Sequence, residues 1–153
     1  MARPTRRAGR SERARLNDVM PGANAAMEHQ VAYKVYYEDT DSLGVVYYAN
    51  YMKYLERGRT EFIEHYGRPV WEWNADGYFF VVYKLTATFR KAAVLGDIVT
   101  VVTRFELPSA FRGLFRQRIE RNGETLIDAD VEIVCLDRQR NVVEYPNMFK
   151  KTP

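Results

Sequence analysis

The feature that most constrains this fold is one long amphipathic helix pattern with strand patterns on both sides of it. Between Tyr47 and Tyr66 the apolar residues form one continuous stripe, which predicts a helix with a single buried face. The stripe consists of Tyr51, Tyr54, Leu55, Phe62, Ile63 and Tyr66. Gly58 lies on the same stripe, where a missing side chain lets a sheet approach closely. Gly67 as a C-terminal cap, followed by Pro69, predicts the end of the helix.

Alternation of apolar and polar residues predicts the strands. Before the helix, the alternating pattern extends from Gln30 to Tyr37. After a connector that contains Trp71 and Trp73, the predicted strands are Tyr78–Lys91, Ile98–Leu107, Phe111–Arg121 and Thr125–Asp137. Asn122-Gly123 predicts a type I′ hairpin between the last two. One helix packed against about five antiparallel strands is an α+β layout. Another subunit can cover an edge or a face of the sheet that the single helix leaves exposed.

The net positive charge is concentrated at the beginning of the chain. The chain has 23 basic and 20 acidic residues. Six of the basic and three of the acidic residues lie in residues 1–29, so the rest of the chain carries 17 of each and is neutral. We therefore predict a basic, disordered tail at residues 1–29 and one domain at residues 30–150. A nucleic-acid-binding domain would carry its basic patch on the folded part, so that function is disfavoured. Anionic lipid or RNA stays open as a partner of the tail.

Several chemistries are disfavoured by what the sequence lacks. No apolar run approaches the roughly 18 residues of a membrane-spanning helix, and no apolar stretch follows the Arg-rich beginning as in a signal peptide, so we expect a cytoplasmic protein. Cys135 is the only cysteine, which excludes an internal disulfide and a zinc site built on thiolates. His29 and His65 are the only histidines, and phosphate loops, dinucleotide fingerprints and serine elbows are absent. Among the common kinds of active site, one based on carboxylates remains.

Three carboxylates lie together just before the helix. Glu38, Asp39 and Asp41 occupy a polar, turn-forming stretch that leads into the helix N-terminus. Neighbouring like charges can raise the pKa of one carboxyl, and the positive end of the helix dipole opposes this effect. By themselves these residues fit a solvated turn as well as a reactive site. A carboxylate beside free helix N–H groups is, however, sufficient for acyl transfer or hydrolysis.

The stretch Tyr36–Tyr51 resembles the active-site segment of the 4-hydroxybenzoyl-CoA thioesterase family, most closely its Tol-Pal-associated YbgC-type branch. The run Asp-Thr-Asp-x-x-Gly-x-Val-Tyr, which begins at Asp39, carries most of this resemblance. It continues at Tyr54–Glu61, Phe80–Thr86 and Gln117–Ile119, within residues 30–150. The resemblance implies a hotdog fold, in which an antiparallel sheet wraps a long central helix. It also implies dimers that form edge to edge and often assemble into tetramers.

The resemblance implies roles for three residues of this segment. Asp41 is the catalytic carboxylate, either as the nucleophile or as the general base that activates water, and both roles require its ionised form. Gly44 provides the turn into the helix, and the backbone N–H of Tyr48 polarises the thioester carbonyl. YbgC-type relatives commonly have histidine at the position of Tyr48, whereas hydroxybenzoyl-CoA enzymes can have tyrosine. Tyrosine in place of histidine keeps the backbone N–H donor, and the identity of the substrate stays open.

Substrate contacts are expected from the helix, the following strand and basic residues. The candidates are Tyr47, Glu56, Val81, Val82, Lys84 and Arg112. Residues 80–84 would line the acyl pocket of a neighbouring subunit. Lys84, Arg90, Lys91 and Arg112 are candidates for the phosphates of coenzyme A, with Arg112 matching the family best. Glu56 matches an acidic family position and can pair with Arg59 one turn later.

Other residues near the segment are expected to be structural. Asp39 is expected to orient the loop rather than to react. The aromatic set Tyr47, Tyr51, Tyr54 and Phe62 is favoured as core over a substrate box, although Tyr47 also counts among the substrate-binding candidates. His65 is interpreted as a structural residue whose side chain interacts favourably with the helix dipole in the last turn.

The expected function is hydrolysis of a short- to medium-chain or aryl acyl-CoA to a free acid and coenzyme A. No metal and no cofactor is expected, because coenzyme A is part of the substrate. The alternative is a non-catalytic hotdog protein that binds acyl carrier protein or an envelope-associated complex. A hydroxyacyl dehydratase on the same fold is disfavoured, because it needs a histidine in the site. We expect a homodimer or homotetramer, acyl carrier protein as a further candidate partner, and no nucleic acid.

Overall fold

A computed structural model describes residues 27–147. The predicted disorder of the tail concerns residues that lie almost entirely outside this range. The first strand begins at Glu28, two residues before the predicted start of this strand at Gln30. Within residues 27–147, no helix is long and apolar enough to cross a membrane.

The elements follow the predicted order, with three additions, one of which is a short 3-10 helix at Tyr37–Asp39 between the first strand and the long helix. The helices are α1 (Asn50–Tyr66) and α2 (Val70–Ala75), and the strands are β1 (Glu28–Lys34), β2 (Phe79–Phe89), β3 (Ile98–Ser109), β4 (Arg112–Arg121), β5 (Glu124–Leu136) and β6 (Val142–Val143). α2 and β6 were not predicted. α2 follows Pro69 at its N-cap and buries Trp73, under the guanidinium of Arg68 at 4.1 Å from the indole ring. A single buried residue is too weak a pattern to predict such a short helix.

The strands form one antiparallel sheet in the order β1-β3-β4-β5-β2, with β6 paired to β5. β1 and β2 are therefore the edge strands. The turn between β4 and β5 has positive φ angles at Asn122 (50°) and Gly123 (78°), which confirms the hairpin predicted there.

α1 packs its predicted stripe against the sheet, chiefly on β1 and β3. Tyr51, Tyr54, Leu55, Gly58, Phe62 and Ile63 are buried, and Tyr66 is half-buried. A Cβ on Gly58 would lie 2.5 Å from Val101 Cγ1, so the predicted close approach of the sheet is confirmed. Gly67 is the C-cap residue of α1, so the helix ends where it was predicted to end, although φ −149° and ψ −103° show that the cap is not left-handed.

The sheet face away from α1 is covered by ion pairs between neighbouring strands. Arg104 pairs with Glu28, and Arg116 bridges Glu106 and Asp130. Exposed pairs of this kind add little stability, yet they allow a sheet face to contact water. This face therefore does not require a second protein layer, and the edge strands remain as the places where another subunit can add.

Candidate active site

Asp41 lies on a narrow hairpin that connects β1 to α1. Asp41 N donates to Val45 O at 2.9 Å, and Gly44 N donates to Asp41 O at 3.0 Å. Thr40 and Val46 form a bridge at the base of the hairpin. Gly44 has φ +77°, a left-handed conformation that glycine adopts without strain, so the predicted turn residue does make the turn.

Asp39 holds this hairpin against α1. Its Oδ2 accepts hydrogen bonds from Tyr36 N at 2.8 Å and from the Tyr54 hydroxyl at 2.9 Å. Its carbonyl oxygen accepts from Tyr47 N and from Asn50 Nδ2, both at 3.0 Å. Burial, followed by the hydrogen bond to Asp39, raises the pKa of Tyr54, which keeps its hydroxyl a donor. Four hydrogen bonds to one residue agree with the structural role expected of Asp39.

The Asp41 carboxylate has one oxygen held and one free of protein donors. Leu43 N donates to Oδ1 at 2.8 Å, and no group within residues 27–147 donates to Oδ2. The side chain is half-buried at the wall of a cavity of about 420 Å³. The other lining residues are Tyr37, Thr40, Ser42, Gly44 and Leu95. A fixed carboxylate with one available oxygen is suited to attack a carbonyl or to take a proton from water.

The helix entry beside this hairpin presents free backbone donors. α1 begins at Asn50, and its N-cap residue Ala49 makes no side-chain cap. In the part of the chain that the structure describes, the backbone N–H of Tyr48 has no hydrogen-bond partner. An unpaired N–H at the positive end of a 17-residue helix can stabilise developing charge on a carbonyl oxygen.

A second, aromatic cavity of about 250 Å³ lies next to Tyr48. Its walls are Val46, Tyr48, Tyr51, Phe89, Arg90, Lys91 and Ala92. The rings of Tyr48 and Phe89 meet edge to face at 6.1 Å and 82°. Phe89 was missed as a site residue, because its place beside Tyr48 depends on where the far end of β2 lies in the folded sheet.

The aromatic residues of the segment divide between core and surface. Tyr51, Tyr54 and Phe62 are buried, as predicted. Tyr47 is 47% exposed, so its placement in the core was wrong. It precedes the first residue of α1 and therefore does not share the face of the helix that packs on the sheet.

Glu56 is exposed and pairs with Arg59, which is buried. Arg59 Nη1 donates to Gln117 Oε1 at 3.0 Å, and Gln117 Nε2 donates in turn to Leu55 O and to Thr103 Oγ1, both at 2.9 Å. Burial lowers the pKa of the Arg59 guanidinium, and the Glu56 carboxylate opposes this shift. The predicted ion pair between Glu56 and Arg59 therefore exists, and the hydrogen bond to Gln117 in the core orients Arg59.

The predicted phosphate-binding cations are all in ion pairs. Lys84 and Arg112 share Glu132, which alternates with the buried Val131 and Ile133 and so lies on the sheet face away from α1. Arg90 pairs with Asp128 and Lys91 pairs with Glu124. Only the latter two cations, among these four, line the cavity beside Tyr48.

Val81 and Val82 lie on the edge strand β2, with 39% and 40% of their surface exposed. Cys135 is buried, and burial raises the pKa of its thiol to about 11, which makes it unreactive. Within residues 27–147 no three histidine, cysteine or carboxylate side chains form a group that could hold a metal ion.

Comparison with known families and proteins gives consistent matches. A family model described as the thioesterase-like superfamily matches residues 35–152. The acyl-CoA thioester hydrolase YbgC of Escherichia coli O157:H7 is 38% identical over 105 residues, which is 68% of this chain and 78% of that protein. The acyl-CoA thioesterase YbgC of Helicobacter pylori strain 26695 is 45% identical over 85 residues, 55% of this chain and 62% of that protein.

Solved structures match over most of the domain. A probable thioesterase from Bartonella henselae has a TM-score of 0.74 at 31% identity, and covers 78% of this chain and 99% of its own. A 4-hydroxybenzoyl-CoA thioesterase has a TM-score of 0.76 at 19% identity, over 83% of this chain and 99% of its own. At that identity the second match supports the fold alone.

Proposed function

The chain belongs to the thioesterase-like superfamily, and on that premise we propose that Asp41 and the helix entry at Tyr48 form its catalytic centre. It has the hotdog fold expected from the resemblance, and it is an acyl-CoA thioester hydrolase, as its relatives from E. coli and H. pylori are named. Two observations support the centre: a carboxylate with one unengaged oxygen and an unpaired backbone N–H at a helix start. They lie on one segment, whose hairpin is tied to the helix entry by Tyr47 N, which donates to Asp39 O at 3.0 Å.

In the proposed mechanism the thioester carbonyl oxygen accepts a hydrogen bond from the Tyr48 N–H. Asp41 takes a proton from water as the water oxygen bonds to the carbonyl carbon, and the carbon–sulfur bond then breaks. The proton reaches the departing sulfur, which leaves a free acid and coenzyme A. If Asp41 attacks directly, its carboxylate displaces the coenzyme A thiolate to form an acyl-aspartyl anhydride, and water then hydrolyses this anhydride to the free acid and Asp41. Both routes need Asp41 ionised.

Exchange of Asp41 for asparagine tests this assignment, because it keeps size and removes the charge. Release of free thiol is measured for wild type and Asp41→Asn on short, medium, long and aryl acyl-CoA substrates. We expect kcat to fall about 10²–10⁴-fold, the usual contribution of a positioned general base. Glu38→Gln is the matched control, because it removes an exposed carboxylate from the same loop and should change kcat by less than about twofold.

Each outcome of this experiment has a defined meaning. Full activity of Asp41→Asn would refute the catalytic role of this carboxylate. A wild-type protein that is inert on the whole panel would favour the non-catalytic hotdog binding protein instead. The same acyl group supplied on acyl carrier protein shows whether that carrier replaces coenzyme A.

We place the acyl group in the aromatic cavity beside Tyr48. A cavity of roughly 150 Å³ already accommodates benzene, so about 250 Å³ is large enough for an aryl or a short acyl group. Arg90 and Lys91 at this cavity are better placed for an anionic part of the substrate than Lys84 and Arg112 of the same chain. Glu56, held by Arg59, is proposed as a polar contact for the substrate.

We further propose that two copies pair along β2. This strand is an edge, and apolar side chains on it are exposed: Val81, Val82, Tyr83, Leu85 and Phe89 are 37–48% exposed. Pairing would satisfy the free edge and bring residues 80–84 of a second copy to the acyl cavity. A cytoplasmic location is proposed with this function, since the substrate contains coenzyme A.

A further inference from the structure

The hydroxyl group of Tyr51 lies at the wall of the aromatic cavity beside Tyr48. Tyr51 is 3% exposed and is one of the residues that line this cavity. Its hydroxyl oxygen accepts a hydrogen bond from Ala93 N at 2.9 Å, and Ala92, the residue before Ala93, also lines the cavity. The hydroxyl end of Tyr51 is therefore close to the cavity, although the proposed mechanism gives it no role.

The hydrogen bond from Ala93 accounts for the oxygen of this hydroxyl but not for its proton. A phenolic hydroxyl can accept and donate at the same time. In the part of the chain that the structure describes, no group accepts the Tyr51 proton. The nearby carbonyl oxygens already have donors, since Ala93 O accepts from Val46 N at 2.9 Å and Ala92 O accepts from Arg121 Nη1 at 3.3 Å. The proton is therefore available to a group that enters the cavity.

The position and the protonation state of this donor are both fixed. The centroid of the Tyr51 ring lies 6.0 Å from that of Phe89 and 6.4 Å from that of Tyr54, so aromatic neighbours hold the ring. Burial raises the pKa of the Tyr51 hydroxyl, although the hydrogen bond from Ala93 N opposes this shift. The hydroxyl consequently stays protonated at neutral pH.

We propose that the Tyr51 hydroxyl determines substrate specificity, by selecting acyl groups that carry an oxygen atom over hydrocarbon acyl groups of the same size. The oxygen atom would accept the available proton of Tyr51. A methyl group in the same place would shield the donor from water and leave it without a partner, which is unfavourable. This inference rests on the proposed function, because it places the acyl group in the cavity beside Tyr48.

The two cations at the cavity do not provide this selection. Arg90 pairs with Asp128, and Lys91 pairs with Glu124. The side chains of Arg90 and Lys91 are 56% and 61% exposed, so water solvates them as well. Solvated cations of this kind favour an anionic group, whereas a neutral oxygen atom gains more from a buried donor such as Tyr51.

Substrate pairs that differ only by a hydroxyl or a methyl group test this selection, because the two groups are similar in size. One pair is 4-hydroxybenzoyl-CoA and 4-methylbenzoyl-CoA, and the other is 3-hydroxybutyryl-CoA and 3-methylbutyryl-CoA. We expect the wild-type kcat/KM to be about 2–10-fold higher for the hydroxyl substrate in at least one pair, which is the usual effect of one neutral hydrogen bond. If the hydroxyl substrate is not preferred in either pair, the proposal is wrong.

Tyr51→Phe removes the donor and keeps the ring, so it should abolish the preference within the selective pair. The preference compares two substrates on one protein and therefore does not depend on how much of the variant is folded. Tyr66→Phe is the matched control, because it removes the hydroxyl of another tyrosine of α1, which donates to Glu28 O at 2.6 Å and does not line the cavity. It should keep the wild-type preference. A preference that survives in Tyr51→Phe, or that both variants lose equally, would overturn the proposal.

Substrate analogues that cannot be hydrolysed separate this proposal from the proposed function. Insertion of a methylene group between the sulfur and the carbonyl carbon of each of the four substrates removes the thioester. Isothermal titration calorimetry should give a lower Kd for the hydroxyl analogue with wild type and no difference with Tyr51→Phe.

The combined outcomes distinguish the two proposals. A wild-type protein that is inert on every thioester but shows this difference in Kd would reject the proposed function and leave the selection by Tyr51. Equal hydrolysis of both members of each pair would reject the selection and leave the proposed function. A protein that neither hydrolyses the thioesters nor distinguishes the analogues would reject both.

Discussion

At the scale of single residues, the position of Asp41 depends on the groups that hold its loop. Asp39 receives the Tyr54 hydroxyl from the buried face of α1 and thereby ties the loop to the core. Gly44 adopts the left-handed conformation that turns the chain, and Leu43 N fixes one carboxylate oxygen. The position of the Asp41 carboxylate is therefore set by the packing of α1 on the sheet, which Gly58 permits.

Gly58→Ala should destabilise the protein. The added Cβ would lie 2.5 Å from Val101 Cγ1 and 3.1 Å from atoms of Gln117 and Thr103. Overpacking of this kind costs about 1–3 kcal/mol, whereas alanine in place of glycine returns about 1 kcal/mol of helix propensity. We expect a net loss of up to about 2 kcal/mol in the free energy of unfolding, measured by urea denaturation.

A double-mutant cycle isolates the cause of this loss. Val101→Ala removes the methyl group that the new Cβ would meet, so Gly58→Ala should cost less in a Val101→Ala background than in wild type. Equal costs in both backgrounds would show that the contact with Val101 is not responsible.

At the scale of secondary-structure elements, β1 and the end of α1 are joined by the only two histidines of the chain. The rings of His29 and His65 lie 4.8 Å apart, and the Tyr66 hydroxyl donates to Glu28 O at 2.6 Å beside them. Burial, and then the neighbouring His65, lower the pKa of His29, while Glu61 opposes the shift. Arg104, paired with Glu28, is a further cation on the adjoining strand.

Acid should weaken this junction before it affects the rest of the protein. In the folded state His29 binds a proton less readily than in the unfolded chain, where its pKa is near the ordinary value of 6.5. The unfolded state then binds more protons, so stability is complete above about pH 6.5 and falls as the pH is lowered below it. We expect the Tm of wild type to fall between pH 7.5 and 5.5.

His29→Gln should reduce this pH dependence, since it removes the titrating group and keeps a polar side chain. The Tm of both proteins is measured by thermal unfolding at pH 7.5, 6.5 and 5.5. Most carboxylates stay ionised in this pH range, so they contribute little to the difference. An unchanged pH dependence in His29→Gln would show that His29 does not carry the effect.

At the scale of the whole molecule, the sheet has two different surfaces and two different edges. One face is covered by α1, and the other carries ion pairs between strands that allow contact with water. β1 is bordered by α1, while β2 keeps a free edge with exposed apolar side chains. The molecule therefore presents β2 as the edge along which a second copy is proposed to pair.

Val82→Lys should convert the proposed dimer to a monomer, because it places a charge within the apolar part of the free edge. Val142→Lys is the matched control, since it introduces the same side chain at an exposed valine on β6. Gel filtration with light scattering gives the mass of each protein. A dimeric Val82→Lys, or a wild-type monomer, would contradict pairing along β2.

The sequence by itself determined the features that depend on local patterns. The helix stripe, the five long strands, the Asn122-Gly123 hairpin and the Gly44 turn are each encoded within a few neighbouring residues, because periodicity and positive φ preferences act locally. The family resemblance located Asp41 and Tyr48 for the same reason, since both lie in one continuous segment of the chain.

Only the tertiary structure decided which distant residues meet. Phe89 borders Tyr48, Tyr54 anchors Asp39, and His29 contacts His65, across separations of up to 41 residues in the chain. Tyr47 is exposed, although Val46 directly before it is buried. Such contacts follow from how α1 lies on the sheet and from which strands form the edges of the sheet. Both features depend on the packing of the whole domain, so no local sequence pattern determines them.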